Sequence, residues 1–255
     1  MGRSLLETYV HWNWSWTIDG ALRYAPVIRA ILAAQCTDPL ICDVGVGSRG
    51  GITSYATMQS IGVDLSYARE EIRRLAKRYP RLRPICASAT SLPLKSGAFD
   101  FVICIDTLEH LSKDARTLIL DELFRIVRDD GWVIIGAPCG PDARYCDEVM
   151  NRQFREKRGT DHPWLKEHLR YEPILPGWFE EQVTLRAKER FGDYYMFNLG
   201  NVNIKLRYIL AGLLWSPLHL NQFQRLLFRP FLPILTRQDR EPCYRRIYFA
   251  HGAGG

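Results

Sequence analysis

Ile41-Cys-Asp-Val-Gly45-Val-Gly47-Ser-Arg-Gly50 decides the fold. The run from Pro39 to Gly45 is a short apolar strand that ends in a glycine loop. Glycines belong there because the backbone must turn sharply and approach a ligand with no Cβ in the way. In open parallel sheets, ligands bind just outside the strand carboxyl ends, where such loops converge.

Outward from this stretch, strands alternate with helices. A helix is expected at about 19–34, with Asp19 as its candidate cap. Ser60-Ile-Gly-Val-Asp-Leu-Ser66 is a second strand, residues 67–79 have helical spacing, and Arg83–Ser88 is a third short strand. Phe99-Asp-Phe-Val-Ile-Cys-Ile-Asp106 is nearly continuously apolar, the pattern of a strand buried on both faces. Residues 113–128 read as an amphipathic helix with Leu118, Leu120, Leu123, Phe124 and Val127 inward, and 131–138 as a fifth strand. Residues 139–176 are polar and read as loop, followed by a helix at about 177–190 and a strand near 194–198. An apolar, basic insert covers about 202–236, and the last strand is expected at 244–250. This alternation means βαβ units and a mostly parallel sheet.

The chain has 255 residues, 47% hydrophobic and 24% charged, which suits a single α/β domain with a core that needs no disulfides. Its seven cysteines are scattered, with no Cys-x-x-Cys pair and no zinc spacing, so a reducing cytosol and no structural metal are expected. Glu7, His11 and Asn13 interrupt the first residues, so no signal peptide is read and a cytoplasmic protein is expected. The net charge of +6 is uneven, because residues 196–255 hold eight basic side chains against Asp239 and Glu241. That asymmetry points to a local anionic partner.

The glycine loop admits two cofactors. Gly45-x-Gly47-x-x-Gly50 also satisfies the dinucleotide fingerprint, with Asp64 near the place of its acidic residue. Three features favour S-adenosylmethionine. Asp43 lies inside the motif, where a carboxylate can face a cationic ligand. Only about ten residues separate Gly50 from the second strand, which leaves a stub of helix for a pyrophosphate. The third is the downstream segment. Ile41–Gly47, Gly62-Val-Asp-Leu-Ser66, Ala87–Leu111 and Gly131-Trp-Val-Ile-Ile-Gly136, in this order, resemble the class I S-adenosylmethionine-dependent methyltransferases of the common small-molecule type.

That resemblance implies a Rossmann-like α/β fold: a mostly parallel seven-stranded sheet with helices on both faces and a helical insert before the last strand. The chain is then a single methyltransferase domain. It divides into an N-terminal cap (1–38), a cofactor core (39–138), an acceptor-side region (139–200), a basic insert (201–240) and a last strand with tail (241–255). Gly45, Val46 and Gly47 would line the methionine portion. Asp64 would accept from both ribose hydroxyls, with Leu65 beside it, and Ser88 and Ala89 would meet the adenine. Ser88 departs from the family, which usually has an Asp there. Each acid also has a structural reading: Asp64 as a helix cap, Asp43 as a brace of loop amides, Asp106 as either cofactor contact or turn cap.

Methyl transfer is an in-line displacement, so the protein mainly aligns the acceptor and excludes water. His110, near the active-site mouth by resemblance, and His162 and His168 in Asp161-His-Pro-Trp-Leu-Lys-Glu-His168 are the candidate bases or acceptor contacts. The structural alternatives are a packed His and a packed Trp-Pro loop. The insert is too interrupted for a spanning helix, which needs about 20 apolar residues. It reads as a cap over the acceptor pocket or as a peripheral membrane contact. The expected acceptor is a small molecule, a glycan or a lipid-linked group. RNA methylation is the alternative that the basic tail favours, but no Asn/Asp-Pro-Pro-Tyr motif is present, and nucleic acid is not the expected partner. A non-catalytic scaffold at a membrane and an NAD(P) oxidoreductase are the remaining alternatives.

Overall fold

The computed structural model describes residues 18–208 and 241–253. Its elements run α1 (Ile18–Ala33), β1 (Ile41–Val44), α2 (Gly51–Ala56), β2 (Ser60–Asp64), α3 (Arg69–Arg78), β3 (Leu82–Cys86), β4 (Phe99–Ile105), α4 (Lys113–Ile126), β5 (Val127–Pro138), α5 (Pro141–Arg158), α6 (Pro163–His168), α7 (Pro176–Phe191), β6 (Tyr194–Asn203) and β7 (Cys243–Gly252). Short 3-10 turns, Gly47–Arg49 and Leu108–His110, follow β1 and β4.

The seven strands form one sheet in the order β3-β2-β1-β4-β5-β7-β6. The pairs from β3 through β5 are parallel, and β7 runs antiparallel between β5 and β6. Strand alternation sorts the core into two layers. Cys42, Val44, Val102, Cys104, Val133 and Ile135 face one way, against Leu120, Leu123 and Phe124 of α4 and Phe179 and Val183 of α7. Ile41, Ile103, Ile134 and Phe249 face the other way, against Leu22, Val27 and Ile28 of α1 and Ile52 of α2. Burying apolar side chains on both faces is what an all-apolar strand requires, and each such side chain contributes roughly 1.5–3 kcal/mol.

Four expectations are corrected. Residues 139–176 are not mainly loop, since they hold α5 and α6. Leu118 is not inward: it is 51% exposed, on the solvent side of α4. Val127 is buried as the first residue of β5 rather than as part of the helix. Asp19 falls inside α1 instead of preceding it. The basic tail is also less of a surface charge than it reads. Arg245 is fully buried, Arg207 is buried with its guanidinium over the Tyr244 ring at 4.4 Å, and Arg246 pairs with Glu241 at 2.5 Å. All seven cysteines are free thiols. The insert beyond residue 208 lies outside the described residues. Among the described residues no helix is long and apolar enough to cross a membrane.

Candidate functional site

The carboxyl ends of β1, β2 and β4 meet at the glycine loop. The Gly45 amide donates to the Val63 carbonyl at 2.8 Å and pulls the loop across β2. Gly45 has φ +78°, and a Cβ there would lie 1.8 Å from Thr107 Oγ1, so no other residue fits. Val46 is buried under the loop. Gly47 has φ +60°, and a Cβ on it would meet nothing within 4 Å. The loop thus packs its inner side tightly and opens its outer side, as a backbone that receives a ligand must. Tyr67 Oη, which the sequence reading missed, donates to the Gly47 carbonyl at 2.9 Å and fixes the loop from α3's side.

Asp43 lies beneath the loop and is 1% exposed. Its Oδ2 accepts from the Ile52 amide at 2.7 Å and from Tyr24 Oη at 3.2 Å, while Oδ1 has no hydrogen-bond partner. The carboxylate braces the start of α2, in accord with the structural alternative for this residue. Burial pushes it up to about 7, against the lowering effect of its hydrogen bonds and of Arg23. A carboxyl that holds its proton more tightly folded than unfolded stabilises most at low pH. That stability is lost as pH rises from the unfolded value near 4 through about 7. The melting temperature is therefore expected to fall between pH 5.5 and 7.5, and to fall less in Asp43→Asn. Glu109 titrates in the same direction and remains in that variant. Equal slopes in differential scanning calorimetry would contradict the assignment.

Asp64 ends β2. Its Oδ2 accepts from the Gly47 amide at 2.7 Å, and Oδ1 accepts from the Ser66 amide at 2.8 Å and from Ser66 Oγ at 2.5 Å. A carboxylate has about four lone-pair sites. Three are taken within the protein, so a ribose finds one open and gains a second when the Ser66 hydroxyl turns away. Leu65, beside it, is an apolar side chain left 70% exposed. Ser88 Oγ lies 2.8 Å from Thr90 Oγ1 and accepts from the Thr90 amide, so it shapes its own turn. Ala89 beside it is half-buried. An acceptor carboxylate for two hydroxyls, an exposed apolar cover and an open glycine loop fit an adenosyl nucleoside.

Asp106, expected as cofactor contact or turn cap, is instead committed to cations. Its two oxygens take the fork of Arg245, and Arg23 lies 3.1 Å away. It adopts φ +54°, a conformation costing about 1–3 kcal/mol unless the surroundings enforce it. The enforcement is visible. The Asp106 amide donates to the Gly136 carbonyl at 2.8 Å, and Arg245 also donates to Asn201 Oδ1 at 2.7 Å. Asp106 therefore positions the end of β4.

The three histidines separate into a pair and a single. His110 and His168 come together with ring centroids 4.6 Å apart. His110 Nδ1 lies 3.1 Å from Glu167 Oε2, and His168 Nδ1 lies 3.0 Å from Asp147 Oδ2. His162 packs edge-on between Phe154 and Trp164, and burial lowers its affinity for a proton. The His162 ring is thus packed, whereas Pro163 and Trp164 are exposed and open α6 instead of forming a packed Trp-Pro loop. Trp164 in turn receives Arg49 from the glycine-loop turn, 5.5 Å from its ring centroid, so α6 closes toward the loop. Arg144 donates to the carbonyls of His168, Leu169 and Tyr171 and fixes the end of α6.

Glu109, read only as the neighbour of His110, is 5% exposed and packs against this pair. Burial and the nearby Asp106 push it up to about 7, against the pull of His168 and Arg245. The sequence shows no metal spacing, yet the fold brings Glu109, His110 and His168 together with ligand atoms within 4.8 Å of one another. A narrow cleft lined by Glu109, Arg116, Gly140, Arg144, Asp147 and His168 opens beside them.

Residues 42–135 match the model of the family described as "Methyltransferase domain". A protein of Mycobacterium tuberculosis named "Probable S-adenosylmethionine-dependent methyltransferase" is 27% identical over 112 residues, 44% of this chain and 40% of its own. The chain thus spans about two fifths of the length of that relative. Among solved structures, the plantazolicin methyltransferase BpumL, in complex with a monoazolic desmethylPZN analog and SAH, superposes with TM-score 0.58 over 98% of this chain and 86% of its own, at 14% identity. The (4+2)-cyclase SpnF superposes with TM-score 0.53 over 91% and 82%, at 13% identity. These two likenesses are of fold.

Proposed function

We propose, from the chain's membership through residues 42–135 of the class I S-adenosylmethionine-dependent methyltransferase family, that it transfers a methyl group from S-adenosylmethionine to a small-molecule, glycan or lipid-linked acceptor. The observation that carries this reading is the glycine loop joined to the acid ending β2, the Gly47 amide on Asp64 at 2.7 Å. The sheet supports it over a dinucleotide. A Rossmann domain continues in parallel beyond the fifth strand, whereas β7 here enters antiparallel between β5 and β6. The helix after the loop, Gly51–Ala56, has six residues, too short a dipole to anchor a pyrophosphate well.

When bound, the cofactor supplies an electrophilic methyl on a sulfonium. The residues of this chain do the rest. Gly45 and Gly47 leave room along the methionine portion, Asp64 receives ribose hydroxyls, and Leu65 covers the adenine from one side while Ser88 and Ala89 border it. The acceptor approaches from the side of α6, where His110 and His168 line the entry. A fold shared with a cyclase does not by itself imply methyl transfer. The test is calorimetric titration with S-adenosylmethionine and, separately, NADH, followed by a labelled-methyl screen over small-molecule, glycan and lipid fractions. One-site binding of the sulfonium nucleoside with a silent NADH titration is expected. Heat from NADH alone overturns the proposal.

A further inference from the structure

We propose that Glu109, His110 and His168 form a divalent-cation site at the carboxyl end of β4, on the acceptor side of the crevice. Their ligand atoms lie within 4.8 Å of one another. Glu109 is the compelling member. It is 5% exposed, and neither Oε1 nor Oε2 has a hydrogen-bond partner. The nearby guanidiniums are spent elsewhere: Arg116 donates to the carbonyls of Leu108 and Glu172, and Arg245 to Asp106 and Asn201. A buried carboxylate without a partner costs several kcal/mol, which a bound cation offsets.

His168 faces the same point. Asp147 only accepts when ionised, so its Oδ2, 3.0 Å from His168 Nδ1, assigns the ring proton to Nδ1. Tyr244 Oη, donating to Asp147 Oδ1 at 2.7 Å, holds that carboxylate in place. His168 then directs the lone pair of Nε2 toward Glu109 Oε1 at 3.7 Å, too long for a hydrogen bond. Unless they share a proton, two acceptors facing each other in this way repel, and a divalent cation between them removes the repulsion. A histidine whose far nitrogen donates to a carboxylate is the usual outer support of a metal ligand. His110 repeats the arrangement with Glu167 at 3.1 Å.

Two imidazoles and one carboxylate suit a borderline ion such as Zn2+, Co2+ or Fe2+, with open positions, better than Mg2+ or Ca2+, which prefer oxygen ligands. An acceptor hydroxyl or carboxylate oxygen would occupy an open position. For a hydroxyl, the O–H proton leaves to solvent and the oxygen bonds the methyl as the S–CH3 bond breaks, releasing S-adenosylhomocysteine. This last step rests on the methyl-transfer reading; metal binding does not.

The experiment uses the whole chain stripped with chelator, without nucleoside. Co2+ is titrated by visible absorption and Zn2+ by calorimetry. One equivalent and a d–d band are expected. Glu109→Gln, nearly isosteric, and His168→Ala should each weaken Zn2+ binding at least tenfold. Asp147→Asn should weaken it about 10–100-fold, the usual effect of losing an outer carboxylate. His162→Ala should leave it unchanged. Circular dichroism melting of the metal-free variants verifies folding. Absence of a band in the parent, or undiminished binding in folded Glu109→Gln, overturns the site. Titrating S-adenosylmethionine into the same samples keeps the two proposals apart, because nucleoside binding without metal binding overturns only this one.

Discussion

Replacing Asp64 with alanine is expected to weaken S-adenosylmethionine binding about 100-fold. Hydrogen bonds to a charged group contribute roughly 1.5–3 kcal/mol each, and every 1.4 kcal/mol is about tenfold in affinity. Two ribose hydroxyls on one carboxylate would give about two to four orders of magnitude, and the lower end is expected because Ser66 already occupies one of the oxygens. Asp64 also holds the Gly47 amide and Ser66, so part of the loss comes from a loosened loop. Asp64→Asn separates the contributions, because its amide oxygen still accepts from Gly47 but carries no charge, and an intermediate loss is expected. Calorimetry reads both. A dissociation constant within threefold of the parent in Asp64→Ala would remove the residue from the nucleoside site.

The second large effect is on stability. Arg245 is fully buried and gives its guanidinium to Asp106 and Asn201. Arg245→Met keeps the volume and leaves Asp106 with Arg23 at 3.1 Å as its remaining cation among those named. Breaking a buried pair by removing one partner costs about 3–5 kcal/mol. In a domain of this size each kcal/mol lowers the melting temperature by roughly 2–4 °C, so a fall of roughly 6–20 °C is expected. Adding Asp106→Asn removes the stranded charge and should recover part of that fall. A shift below about 2 °C for Arg245→Met, on the same scale, would show that the pair holds nothing together.

The strands and the glycine loop held by the acid of β2 were legible in the sequence for the same reason: both are local. A doubly buried strand such as Phe99–Ile105 is apolar throughout, and Asp64 ends a strand only 17 residues from the Gly47 amide that it holds. What failed was non-local or thinly patterned. Helix α5 buries only Ala143, Cys146, Asp147, Met150 and Asn151, too polar a stripe to stand out in a charged stretch. With α5 read as loop, Asp147 had no place, and the support behind His168 was invisible. Glu109 lies in sequence next to a candidate that was noticed, but its meaning depends on a ring 59 positions away that only the packing of α6 delivers. Arg245 and Arg207 were counted as surface charge because composition does not distinguish a solvated arginine from one over Tyr244 or beneath Asp106. Leu118 was taken as inward from spacing alone, whereas its face of α4 points to solvent.

The antiparallel entry of β7 also joins two distant parts of the chain. Asp106 and Arg245 are 139 positions apart, so the end of β4 reaches its final state only once the last strand has paired with β5. The entropy of closing so wide a span is lost before any reward arrives. The carboxyl end of β4 is thus completed by the last strand rather than by the segment that leads into it. Stopped-flow refolding of Arg245→Met beside the parent reads how much of the barrier belongs to that late keystone.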